Sequence, residues 1–248
     1  MEEEAKVTKI LIDRGNQILN SPRKIVEFTK NPDADKLMND IENNPHIFVL
    51  ACVMDRQISA ERAWLIPYLI SKEIGGHEFK NFLKLDREKI RQIFLEKKLH
   101  RFNEEMAKNF YLAIQKIHNE YEDNASNIWK DKPKSATLVR RFLEFNGMGI
   151  KIATMTANIL AREFKVPLAD HICIDISPDI HIKRVFSRLG FVNKEANIEE
   201  ILYKAREINP LYPGILDLSC WEIGRQWCHP NKPECDLCYM SKVCPKIL

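Results

Sequence analysis

Four cysteines near the end of the chain restrict its fold more than any other feature. They stand in Cys228-His229-Pro230-Asn231-Lys232-Pro233-Glu234-Cys235-Asp236-Leu237-Cys238-Tyr239-Met240-Ser241-Lys242-Val243-Cys244, spaced C-x6-C-x2-C-x5-C. Four thiolates in so short a loop can close around one metal centre without ligands from elsewhere. A [4Fe–4S] cluster suits the spacing. The alternative is structural zinc, which also favours four cysteines but more often takes two C-x2-C knuckles. The other three cysteines, Cys52, Cys173 and Cys220, stand alone on apolar stretches and read as ordinary buried thiols.

The rest of the chain reads as all-α. Only 8 glycines occur in 248 residues, while Lys, Glu, Leu and Ile are plentiful. Helices are expected over 5–20, from a cap at Asp33 or Asp35 to Asn44-Pro45, over the apolar run 46–54, and over 60–74 behind Ser59. Further helices are expected from Asp86 to about Leu99, over 103–121, from a Ser135 cap to Phe145, and over 150–163. The last three are 179–189, 197–208 and 212–227. Residues 165–178 read as an extended loop. No apolar run approaches the ~18 residues of a membrane span. The N-terminal Met1-Glu2-Glu3-Glu4-Ala5-Lys6 lacks the apolar core of a signal peptide, so a cytoplasmic location is expected. The length suits two small domains.

Ahead of the cysteine loop lies Phe145-Asn146-Gly147-Met148-Gly149-Ile150-Lys151-Ile152-Ala153. Gly147 and Gly149 permit positive φ and bring bare backbone N–H groups close to a partner. The helix starting beside them offers a seat for a phosphate. Lys151 falls in its first turn. Lys130, Lys132, Lys134, Arg140 and Arg141 precede it, which suits a nucleic-acid backbone, and the net charge of +3 permits such a partner. An amine and a carboxylate beside a gripped DNA strand suffice to attack a sugar C1′ and cut a glycosidic bond.

Taken together, these motifs resemble the helix-hairpin-helix DNA glycosylases of the endonuclease III and adenine-glycosylase branch. The cysteine loop is similar to that family's iron–sulfur loop, and Ile223-Gly224-Arg225 to its lead-in. Gly147 to Ala153 resembles the hairpin with the lysine of the bifunctional enzymes. Asp179-Ile180-His181-Ile182-Lys183-Arg184-Val185 resembles the catalytic-aspartate segment. Asp55-Arg56-Gln57-Ile58-Ser59 stands where the family has a glutamine loop that fills the space of a flipped base.

The resemblance covers roughly 38–248. It implies a six-helix barrel with the hairpin over 38–163, an iron–sulfur domain from 1–37 and 164–248, and an active site in the cleft between them. It implies Lys151 and Asp179 as catalytic residues. DNA contacts would come from Gln57, Gly147, Gly149, Arg140, Arg141, His181 and Lys183. Cys228, Cys235, Cys238 and Cys244 would hold a [4Fe–4S] cluster. The partner implied is double-stranded DNA with a damaged base or abasic site, met by a monomer associated with the nucleoid. The activity implied is that of a glycosylase with AP lyase function, acting on oxidised pyrimidine by default. The alternatives are a monofunctional adenine or mismatch glycosylase and a non-catalytic iron–sulfur DNA-binding protein.

Two departures stand out. Asn146 replaces the proline usual before the first glycine. The separation from Lys151 to Asp179, 179 − 151 = 28 residues, is longer than the family's pattern. The added segment holds Asp170, His171 and Asp175, which makes Asp175 a rival for Asp179. Asp179 is preferred because His181, Arg184 and Val185 keep the motif's register and because it can cap the following helix.

Overall fold

The computed structural model describes residues 2–247. Among them there are helices, turns and loops and no strand, so the fold is all-α. None of these helices is long and apolar enough to cross a membrane. The chain divides into two compact units. The central unit holds residues 23–133 and 137–156. The terminal unit holds residues up to 22, 134–136 and from 157 on.

The central unit is built on α3, Pro45–Val53, in which every residue is buried. A helix apolar on all sides can only sit inside a shell of others. That shell includes α2 (Pro32–Asn39), α4 (Ala60–Glu73), α5 (Phe79–Leu83) and α7 (Asn103–Tyr121), with α6 (Arg87–Lys97) packed on α7. Met106, Phe110, Ile114 and Ile117 form the buried stripe of α7 as its 3.6-residue period predicts. The cap of α2 differs from the expectation. Asn31 accepts from Asp33 N and Ala34 N, and Pro32 takes the first helical position, where its fixed φ and missing N–H do no harm. Asp86 caps α6 as expected, accepting from Lys89 N at 2.7 Å. Ser59 stands at the cap of α4 but makes no side-chain cap bond.

The terminal unit contains α1 (Glu2–Asn20), α10 (Ile180–Arg188), α11 (Ile198–Ile208) and α12 (Leu216–Gln226). Helix α1 packs closely on the Pro213–Ile215 turn. A Cβ at Gly15 would lie 2.4 Å from the Ile215 carbonyl oxygen. The expected helix over 212–227 begins later, because Pro213 starts a separate 3-10 turn. Asn197 and Glu200 close a capping box on α11. Helices α8 (Ser135–Leu143) and α9 (Ile150–Arg162) each contribute to both units. Cys52 and Cys220 are buried, whereas Cys173 is only partly so.

Candidate active site and metal loop

The turn between α8 and α9 is anchored from below by Phe145 and Met148, both buried. Gly147 has φ +91°, and a Cβ there would meet Asn109 Nδ2 at 2.6 Å. Only glycine fits this position. Gly149 differs from the expectation: its φ lies outside the left-handed region, and nothing stands within 4 Å of its missing Cβ. Its backbone is open to an approaching partner. Lys151 is exposed in the first turn of α9, Ile152 faces the core, and Ile150 is half exposed.

The turn after α3 lies in the same unit. Gln57 at its tip is exposed and left-handed, with φ +55°. For a non-glycine residue that conformation is uncommon. His100 steadies the turn by donating from Nε2 to the Met54 carbonyl at 3.3 Å, and Arg56 pairs with Glu105. Asp55, two residues from Gln57, is partly buried. Burial pushes its carboxyl up to about 6, against the downward pull of the Lys151 ammonium. The Gln57 turn and the start of α9 are thus electrostatic neighbours.

Asp179 is the cap of α10. Its Oδ1 accepts from the backbone N–H of His181 and of Ile182, each at 2.8 Å. Both bonds fall on one oxygen, so the carboxylate is fixed in direction. The rival Asp175 is in different circumstances. It is buried and gripped by Arg206, Nε to Oδ1 and NH2 to Oδ2, each at 2.7 Å. Such a bidentate pair leaves a carboxylate little freedom for chemistry. Asp170 is also occupied, accepting from Ser135 N at 3.2 Å and from the Ser135 hydroxyl. The long 165–178 segment is therefore tied into the terminal unit by its own acids.

Two arginines of α10 bind the start of the cysteine loop. Arg184 donates from Nε to the Cys228 carbonyl at 2.6 Å and from NH2 to the Gly224 carbonyl at 2.8 Å. Helices α10 and α12 approach closely here, since a Cβ at Gly224 would lie 2.7 Å from His181 Cβ. Arg188 donates to Cys228 Sγ at 3.3 Å, to the His229 carbonyl at 2.7 Å and to the Pro230 carbonyl at 2.7 Å. Its own carbonyl accepts from Cys244 Sγ at 3.8 Å and Ile247 N at 3.2 Å. One residue thus holds both ends of the loop. Cys228, Cys235, Cys238 and Cys244 line one cavity, whose other walls include Val185, Leu189, Ile223, Trp227 and Met240. Among the described residues no three His, Cys, Asp or Glu side chains are grouped as a single bound ion requires.

The other expected DNA contacts vary in availability. Lys183 is exposed. Arg140 pairs with Glu144. Arg141 holds Asp131 through two bonds of 2.8 Å and the Ile128 carbonyl at 2.7 Å, so it serves the central unit's own structure. His181 accepts at Nδ1 from Arg184 NH2 at 3.0 Å. Sequence reasoning missed Asp55, Arg188 and the structural role of Arg184. The spacing 181, 184, 188 on one helix face was the available signal for the arginines.

No protein-family model matches the chain, and no curated protein matches it in sequence. Solved structures do match in shape. A thermostable thymine-DNA glycosylase superposes with a TM-score of 0.62 at 15% identity, over 98% of this chain and 97% of the other. A non-covalent endonuclease III–DNA complex gives 0.61 at 16% identity, over 98% and 95%. A trapped covalent endonuclease III–DNA intermediate gives 0.58 at 18% identity, over 86% and 92%. The chain has the helix-hairpin-helix glycosylase fold.

Proposed function

We propose that this protein is a base-excision DNA glycosylase with AP lyase activity, acting on double-stranded DNA that carries a damaged base or an abasic site. The observation that carries the reading is Asp179, a carboxylate fixed at a helix start by two amides on one oxygen, in a chain with the glycosylase fold. The exposed Lys151 beside the Gln57 turn supports it.

A base inside a duplex is out of reach, so the nucleotide is extruded. Gln57, preset in a left-handed conformation at a turn tip, fills the space left in the stack. The open backbone at Gly149 and the exposed Lys183 take phosphates. Asp179 balances the positive charge that develops on the sugar as the base departs with the electron pair of its glycosidic bond. The Lys151 amine bonds to C1′, and β-elimination from the resulting Schiff base nicks the strand. Oxidised pyrimidine is the default substrate. The second reading is a monofunctional adenine or mismatch glycosylase, and a thymine-DNA glycosylase is among the structures that share the fold.

A [4Fe–4S] cluster suits the cysteine loop, because four thiols line one common cavity with largely apolar walls. Cys228, Cys235, Cys238 and Cys244 would hold it. When bound, such a cluster supplies an electron-transfer centre. Arg188, donating to Cys228 Sγ, orients that ligand.

Borohydride trapping on abasic and lesion-bearing duplexes tests the proposal. Lys151→Gln should lose the trapped adduct and the nick. Its DNA affinity should fall by less than about tenfold, since one phosphate contact among many is removed. Asp179→Asn should slow base release by about 10²–10⁴-fold. A trapped adduct that persists in Lys151→Gln would remove Lys151 as the attacking amine, and base release without trapping in the wild type would establish the second reading.

A further inference from the structure

A second carboxylate lies close to Asp179 within the terminal unit. Asp217 stands in the first turn of α12 and is 9% exposed. Its Oδ1 accepts the Ser177 backbone N–H at 2.7 Å. Ser177 is two residues before Asp179, and Pro178 between them has a fixed φ. A constraint on the Ser177 amide therefore passes to the Asp179 backbone with little slack. Arg162, at the end of α9, is also buried. It brings NH1 to 3.7 Å from Asp217 Oδ2, while its Nε donates to Glu163 Oε1 at 2.8 Å.

This arrangement is a poor way to gain stability. Buried ion pairs often stabilise no better than apolar residues of the same volume. Two polar atoms here add to the cost: Arg162 NH1 and Ser177 Oγ are buried without a hydrogen-bond partner. An unmade buried bond costs about 1–3 kcal/mol. Burial also pushes the Asp217 carboxyl up to about 6, and Asp179 pushes it the same way while Arg162 opposes them. A costly buried charge, held by an arginine and aimed at the backbone of the Asp179 turn, implies that the turn's geometry is what is being kept.

We propose that Asp217 is a positioning residue for Asp179: seated against Arg162, it fixes the Ser177-Pro178 turn and so the direction of the Asp179 carboxylate. The inference rests on the reading of Asp179 as the carboxylate that acts on the sugar.

The test measures single-turnover base release at saturating and half-saturating enzyme, binding to a duplex with an uncleavable abasic analogue, and thermal unfolding. Asp217→Ala should release base about 10²-fold more slowly, the scale of a misplaced catalytic group, with unchanged binding to the analogue. Asp217→Asn keeps an acceptor for the Ser177 amide and should recover most of the rate. If Asp217→Ala leaves Arg162 uncompensated and fails to fold, the paired change Asp217→Leu with Arg162→Met removes both charges and carries the same expectation. A folded variant lacking the acceptor that releases base at the wild-type rate overturns the inference. Asp179→Asn is run beside these variants. If it is fully active, the functional reading itself fails. If it is inactive while the apolar pair works at full rate, only the positioning role fails.

Discussion

Helix α3 and the cysteine loop are held by opposite means. Every residue of α3 is buried, and its order comes from apolar area removed from water. From Cys228 to Ile247 only Met240 is buried. The loop is kept in place by a few polar bonds, most of them to Arg184 and Arg188, and by four thiols around one cavity. The contrast separates a region held by burial from one held by a few polar bonds, which on the proposed reading also depends on what its thiols bind.

The largest effect should follow from breaking the thiol set. Cys235→Ala, or chelation of iron from the wild type, should leave residues 228–247 open to proteolysis while the central unit keeps its protection. Absorbance near ~400 nm, expected of thiolate-ligated iron–sulfur, should vanish in step. A loop equally resistant with and without metal would break the comparison. A smaller effect should come from the hairpin. Gly147→Ala forces a Cβ against Asn109 at a left-handed position and should cost about 1–3 kcal/mol. Gly149→Ala meets no neighbour and should leave the melting temperature almost unchanged while weakening DNA binding.

The third test is in pH. The Asp55 carboxyl is raised from 3.8 to about 6. The folded state then holds this proton more tightly than the unfolded one, so the stability it contributes is present below pH 4 and lost as pH rises through 6. Asp55→Asn should therefore melt above the wild type by a margin that widens from pH 4 to pH 7. A constant margin would show that the turn carries no such penalty. The smallest difference concerns caps. Asp86→Ala should cost about 1 kcal/mol. Ser59→Ala, which removes no cap bond, should cost under about 0.5 kcal/mol.

Much of this was legible in the residues because local patterns decided it. The stripe of α7, the all-buried α3 and the Asp179 cap follow from periodicity and capping rules. The cap of α2 was misplaced by two acids that outshone Asn31, although Pro32 behind it was the better sign. Helix α5 is too short for any period to show. The pairing of Arg141 with Asp131 could not be read ahead, because it is set by the turn that brings residues ten apart together. Asp55 and Asp217 were invisible as perturbed groups, since burial is a property of the folded chain.

Helix α10 has one further consequence. It runs only from Ile180 to Arg188, so roughly 14 Å separate its ends. Asp179 opens it, and Arg188 at the far end grips the metal loop. If the four thiols take up the proposed cluster, its loss would alter the loop that Arg184 and Arg188 hold, and a helix this short would carry that change towards Asp179. On the proposed reading, assembly of the loop and placement of the acid are then coupled through one nine-residue helix.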